Sequence, residues 1–89
     1  MKIENSNGKV IEIKWMHTMN QNGNEVMIEL NDPRSLSAIA LDFENCKMLK
    51  KTSDENKAGV YEVYEGYTEL FYISRSRESK TVRIMLKKP

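Results

Sequence analysis

Three runs of residues recurring at every second position constrain this chain most: Ile11, Ile13 and Trp15; Val26, Ile28 and Leu30; Val82, Ile84 and Leu86. A period of two places such side chains on one face of an extended strand, so each run buries one face and wets the other. Charged residues or methionine fill the intervening places, with Val10, Met16, Met27 and Met85 as the apolar members of the wet faces. Turn signals separate the runs. Asn5-Ser6-Asn7-Gly8 follows Lys2-Ile3-Glu4, and Asn20-Gln21-Asn22-Gly23-Asn24 contains the Asn-Gly pair that favours tight hairpins. An N-terminal antiparallel meander is expected, with Lys9–Met19 as one continuous strand. A closing hairpin is expected from Thr81–Lys87 and the strand before the polar turn Ser74–Lys80.

The period changes between Asn31 and Lys47. Leu36, Ile39, Ala40, Phe43 and Cys46 recur at intervals of three and four, which lines them along one helical stripe. Asp32 followed by Pro33, or else Ser35, supplies an N-cap, and a helix of about ten residues within 33–45 is predicted. Alternating Ile39, Leu41 and Phe43 leave a strand over 36–45 as the competing assignment. Beyond it, Lys47–Lys51 suits a short strand and Thr52–Ala58 a solvated loop. Gly66 then interrupts two segments rich in β-branched and aromatic residues. Glutamate at position 65 is ill suited to the positive φ of a primed turn, so a bulge is favoured there over a turn. The expected fold is α+β: residues 1–89 as a single domain, a mainly antiparallel, hairpin-rich sheet of five or six strands, and one short helix.

With 89 residues the chain hides only about 60–65% of its unfolded surface, too little for a separate cofactor domain. Cys46 is the sole cysteine, so apolar burial must hold the fold together. No apolar run approaches membrane-spanning length, and the N-terminus lacks an apolar signal segment, so a cytoplasmic or virion-associated chain with no membrane contact is expected. Fourteen basic and thirteen acidic residues give a net charge of +1, which offers no global steering toward nucleic acid. The basic excess gathers near the C-terminus in Arg75, Arg77, Lys80, Arg83, Lys87 and Lys88. Such residues commonly solvate a strand face, and they could also hold phosphates.

Chemistry finds few candidates. His17 is the sole histidine, and Cys46 has no other base within plausible reach. Asp54-Glu55 lacks the ligand spacing of a calcium loop, and the four glycines are isolated, with none opening a helix to cradle a phosphate. No catalytic residue, metal or cofactor is expected. Tyr61, Tyr64, Tyr67, Phe71 and Tyr72 near a basic hairpin could stack bases, yet the glycine-aromatic signature of small RNA-binding domains is missing. Six methionines remain, and Met16, Met27 and Met85 would form soft apolar spots rimmed by charge if their faces align, or a second small core.

Ser35-Leu36-Ser37-Ala38-Ile39 leading to Phe43, then a short strand, Tyr64-Glu65-Gly66-Tyr67-Thr68 and a final hairpin, follow one another along nearly the whole chain. In this order the chain resembles small proteins encoded in the tail gene clusters of phages and prophages of Gram-positive bacteria. The resemblance implies a non-enzymatic role in tail or baseplate assembly through protein contact, with another protein or a second copy as partner. Met16, Met27, Tyr64 and Tyr67 are the expected contact residues. Two alternatives stand beside it: a small phage inhibitor of a host defence protein, and a nucleic-acid binder using Arg75, Arg77, Lys80 and Arg83, a partner class the charge balance does not favour.

Overall fold

A computed structural model describes residues 1–52 and 61–89. The loop expected after Thr52 lies almost wholly outside the described residues, as do Gly59 and Val60. Among the described residues eight strands and one helix follow in order: β1 (Lys2–Glu4), β2 (Val10–Glu12), β3 (Trp15–Thr18), β4 (Glu25–Asn31), α1 (Leu36–Leu41), β5 (Met48–Thr52), β6 (Tyr61–Glu65), β7 (Glu69–Arg75) and β8 (Thr81–Lys87). They build two four-stranded antiparallel sheets, ordered β2-β1-β5-β6 and β3-β4-β8-β7. The α+β character stands, with more strands than the five or six expected, because long apolar segments split between sheets. Adding four to each of the first four strand numbers maps either sheet order onto itself reversed. The second half of the chain therefore retraces the hairpin-to-hairpin path of the first.

The splits fall where strands change sheets. Ile13 still donates to the Met1 carbonyl at 2.9 Å, in register with the β1–β2 pair, while Lys14 donates to the Glu29 carbonyl of the other sheet at 2.7 Å. Glu29 is also the register partner of Trp15, so two residues of one strand face one of its neighbour, as in a β-bulge. Alternation slips by one at this corner. Ile11 and Ile13 are buried, but the next buried side chain is Met16 at 2% exposure, and Trp15 turns outward, half-buried. The expected continuous strand with Trp15 inside and Met16 outside is corrected accordingly, and the N-terminal meander becomes two hairpins in different sheets.

A second corner lies at Gly66. Its N–H continues the β5–β6 ladder to the Lys47 carbonyl at 3.1 Å, and Asn45 bonds the Thr68 carbonyl at 3.2 Å before β7 starts in the other sheet. Gly66 has φ +85, a conformation costly to residues with a Cβ. It is a crossover, neither the bulge nor the hairpin turn expected. The bulge sits instead between Leu70 and Tyr72, leaving Phe71 as the extra residue.

Helix α1 is shorter than the predicted stripe. Ser35 caps it, its Oγ accepting from the Ala38 N–H at 3.3 Å, whereas Asp32 accepts from Arg34 in the preceding turn. After Asp42 the chain leaves the helix in tight turns, yet Ile39, Ala40, Phe43 and Cys46 are all buried, so the apolar stripe outlasts the helix that predicts it. Ile3, Ile28, Leu30, Phe43, Leu49, Val82, Ile84 and Leu86, each at 1% exposure or less, form the centre of the core between the sheets.

Candidate protein-contact face

Strands β4 and β8 each bury one face completely: Val26, Ile28 and Leu30 on one, Val82, Ile84 and Leu86 on the other. Their alternate residues necessarily point away from the core. On β4 these are Glu25, Met27 and Glu29, and on β8 Arg83, Met85 and Lys87. The strands pair residue for residue as Glu25 with Lys87, Met27 with Met85 and Glu29 with Arg83. An acidic stripe therefore runs beside a basic one, each with methionine at its middle.

The edge strands extend the middle row. His17 pairs with Met27, and Tyr72 with Met85, so His17, Met27, Met85 and Tyr72 cross all four strands in register. Trp15 stacks on His17 with ring centroids 4.7 Å apart and planes 20° from parallel. Tyr72 and Phe71 are both more than 40% exposed. Charge borders the row: Arg83 reaches Glu29 at 3.4 Å, and Lys87 lies 3.9 Å from Glu69 and 5.2 Å above the Phe71 ring. Soft and aromatic side chains in a row with an ionic rim match the chemistry of protein contact surfaces.

Of the expected contact residues, only Met27 lies on this face. Met16 is in the core, placed there by the slipped alternation. Tyr67 is buried too, its hydroxyl donating to the Gly23 carbonyl and so tying the crossover to the Asn-Gly turn. Tyr64 belongs to the other sheet, half-buried against the core, with its hydroxyl donating to Glu62 Oε2 at 2.8 Å. Trp15 and Tyr72 escaped sequence reasoning because strict alternation puts Trp15 inside and no residue type announces the bulge at Phe71. The pairing of Met27 with Met85, by contrast, follows from aligning two clean alternations.

The basic cluster does not form one surface. Arg75 directs its guanidinium at the backbone carbonyls of Asp32 and Arg34, bracing the segment before the helix. Arg83 is paired with Glu29, while Arg77 and Lys80 stand exposed in the β7–β8 connection. A hollow of about 210 Å³ beside Arg75 and Arg83 also has Glu29 in its wall, which disfavours a phosphate there.

Buried Lys51 and Cys46 serve the fold. Lys51, inward-facing at 7% exposure, donates to the Met16 carbonyl of edge strand β3 at 3.0 Å and pairs with Glu62 at 3.1 Å. Burial works against its charge, but hydrogen bonding with Glu62 and Tyr64 outweighs that and raises its pKa above the ordinary lysine value. A nucleophilic amine needs the opposite shift, so Lys51 is a clamp between sheets. Cys46 donates its thiol to the Met48 carbonyl at 3.2 Å and accepts from Ser6, holding the first hairpin turn against the chain beyond the helix. Among the described residues no helix is long and apolar enough to cross a membrane, and no group of three potential ligands is placed to hold a metal ion. Comparison with protein-family models, curated proteins and solved structures gave no match to this chain.

Proposed function

We propose that this chain is a non-enzymatic contact protein of the phage or prophage tail-cluster type, joining a protein partner through the outer face of the β3-β4-β8-β7 sheet. The observation that supports it is the in-register row of His17, Met27, Met85 and Tyr72, flanked by Trp15, in which His17 and Tyr72 are exposed and Met27 and Met85 half-buried on the side of the sheet away from the core. The resemblance of its order of sequence features to tail-cluster proteins supplies the assembly context. Met27→Asp combined with Met85→Asp tests it, since both positions lie outside the core and the double variant is expected to retain the circular dichroism of the wild type. In the phage or prophage that encodes the chain, purified tail particles then contain the wild type by mass spectrometry and lack the variant. Equal incorporation of both, or particles without the wild-type chain, overturns the proposal.

A further inference from the structure

We infer that the occupant of this face is a second copy of the same chain, packed face to face about a two-fold axis that runs between β4 and β8 and parallel to them. The inference rests on the contact role just proposed and adds the identity of the partner. Closed two-fold pairs require one patch to complement itself. Rotation about this axis sets β4 of one copy over β8 of the other without shifting position along the strands. Glu25 then meets Lys87, Met27 meets Met85 and Glu29 meets Arg83, and each contact occurs twice. The same rotation brings His17 over Tyr72 and Trp15 over Ser74, because those residues occupy the same rows on opposite edge strands.

The alternative in-plane axis, perpendicular to the strands, places β4 over β4 and β8 over β8. Glutamate would face glutamate, and arginine or lysine would face its own kind, an arrangement that like-charge repulsion penalises. Charge thus selects one of the two face-to-face pairings. The Glu29–Arg83 contact at 3.4 Å within each copy becomes half of a four-charge cluster of alternating sign. Sheets stacked in this way lie about 10 Å apart with the central strands of the two copies aligned, which keeps the central rows in contact.

Size sets the strength. Three strands of seven residues and one of four, about 4.8 Å apart, present a flat area on the order of 400 Å² per copy, against about 800 Å² per partner in a standard stable complex. A reversible dimer that forms with rising concentration and loosens with salt is expected.

Sedimentation velocity on the whole chain, from about 10 μM to about 1 mM, reads this directly. Wild type shifts from monomer to twofold mass across the range, and salt at about 0.5 M moves the shift to higher concentration. Glu25→Lys with Glu29→Lys makes both stripes basic, and Arg83→Glu with Lys87→Glu makes both acidic. Each double variant, folded by circular dichroism, stays monomeric alone, and mixing the two restores the doubled mass. A wild type that remains monomeric throughout, a variant that dimerises alone, or a mixture that stays monomeric overturns the self-pairing. Should that happen while Met27→Asp with Met85→Asp still blocks particle incorporation, the contact role stands and a different protein covers the face.

Discussion

Substitutions at Met16 and Trp15 separate the two possible phases of strand β3. Strict alternation from Ile11 through Ile13 would bury Trp15 and wet Met16, whereas the slip at the sheet corner buries Met16 at 2% exposure opposite fully buried Ile28. Met16→Ala removes a core side chain and leaves a cavity, a loss of about 2–5 kcal/mol, while the Met16 carbonyl that holds Lys51 remains. For a domain of this size each kcal/mol moves Tm by about 4–8 °C, so a drop of roughly 8–40 °C is expected. Met16→Lys adds the desolvation of an ammonium group and leaves a domain of ordinary stability, about 5–15 kcal/mol, largely unfolded. Trp15→Lys forfeits the His17 stack, worth about 0.5–1.5 kcal/mol, and some partial burial, but its charge stays in water. It remains folded, about 1–2 kcal/mol less stable. Urea melts followed by far-ultraviolet circular dichroism measure all three, because Trp15 is the only tryptophan and fluorescence would lose its probe. A Met16→Lys variant that melts near wild type, or a Trp15→Lys variant that unfolds while Met16→Ala loses under about 1 kcal/mol, refutes the slipped alternation.

Gly66→Ala loses about 1–2 kcal/mol in urea with an unchanged slope, because φ is +85 there while the added Cβ would meet nothing nearer than Lys88 Cγ at 3.9 Å. A midpoint equal to wild type would show that the crossover tolerates a side chain. For Asp42, burial alone would raise the carboxyl, but hydrogen bonds from Arg34 at 2.7 Å and Lys9 at 2.9 Å hold it below the usual range, and Arg34 does the same to Asp32. Stability from these carboxylates is complete above the unfolded value of about 4 and is lost as pH falls through their lower folded values. Asp42→Asn is therefore about 1–2 kcal/mol less stable at pH 7, and urea melts show the gap narrowing in acid; a gap that stays constant to pH 2.5 contradicts the pairing.

Local pattern made some elements legible and hid others. The β4 and β8 alternations were readable because each strand stays in one sheet from end to end, so period two and burial agree at every residue. The helical stripe was readable as a buried line, although the helix stops at Leu41 and turns deliver Phe43 and Cys46 to the core. Corners were not readable. A strand that changes sheets keeps an extended backbone, and the one-residue slip at Lys14 and Trp15 leaves no mark in residue type. Half of the candidate face depends on such slips: Trp15 reaches it through one bulge, and Tyr72 takes its register with Met85 after another. The repeat of the hairpin path was equally hidden, because pairing order is fixed by contacts between β1 and β5 and between β4 and β8, far apart in sequence.

The same devices that obscured the sequence protect the edges of the sheets. Four edge strands offer backbone for strand addition, and each is blunted. At β3 the Met16 carbonyl is already taken by Lys51, and β7 is broken by the Phe71 bulge. On the other sheet, β2 is three residues long, and β6 carries exposed Glu62 and Glu65. Short, bulged or charged edges resist pairing with another chain. The outer face of β4 and β8 has no such protection: its two methionines lie in register, and its charges are sorted by strand rather than alternating along each one. Opposite signs at each register pair make the face complementary to itself on rotation about the strand direction, and sorting by strand penalises the other in-plane rotation. Exchanging Glu29 with Arg83 in a single chain would keep the charges at this pair opposite both within a copy and across the two-fold, so monomer stability and self-pairing would both survive; an exchanged chain that stays monomeric where the wild type pairs would contradict this stacking.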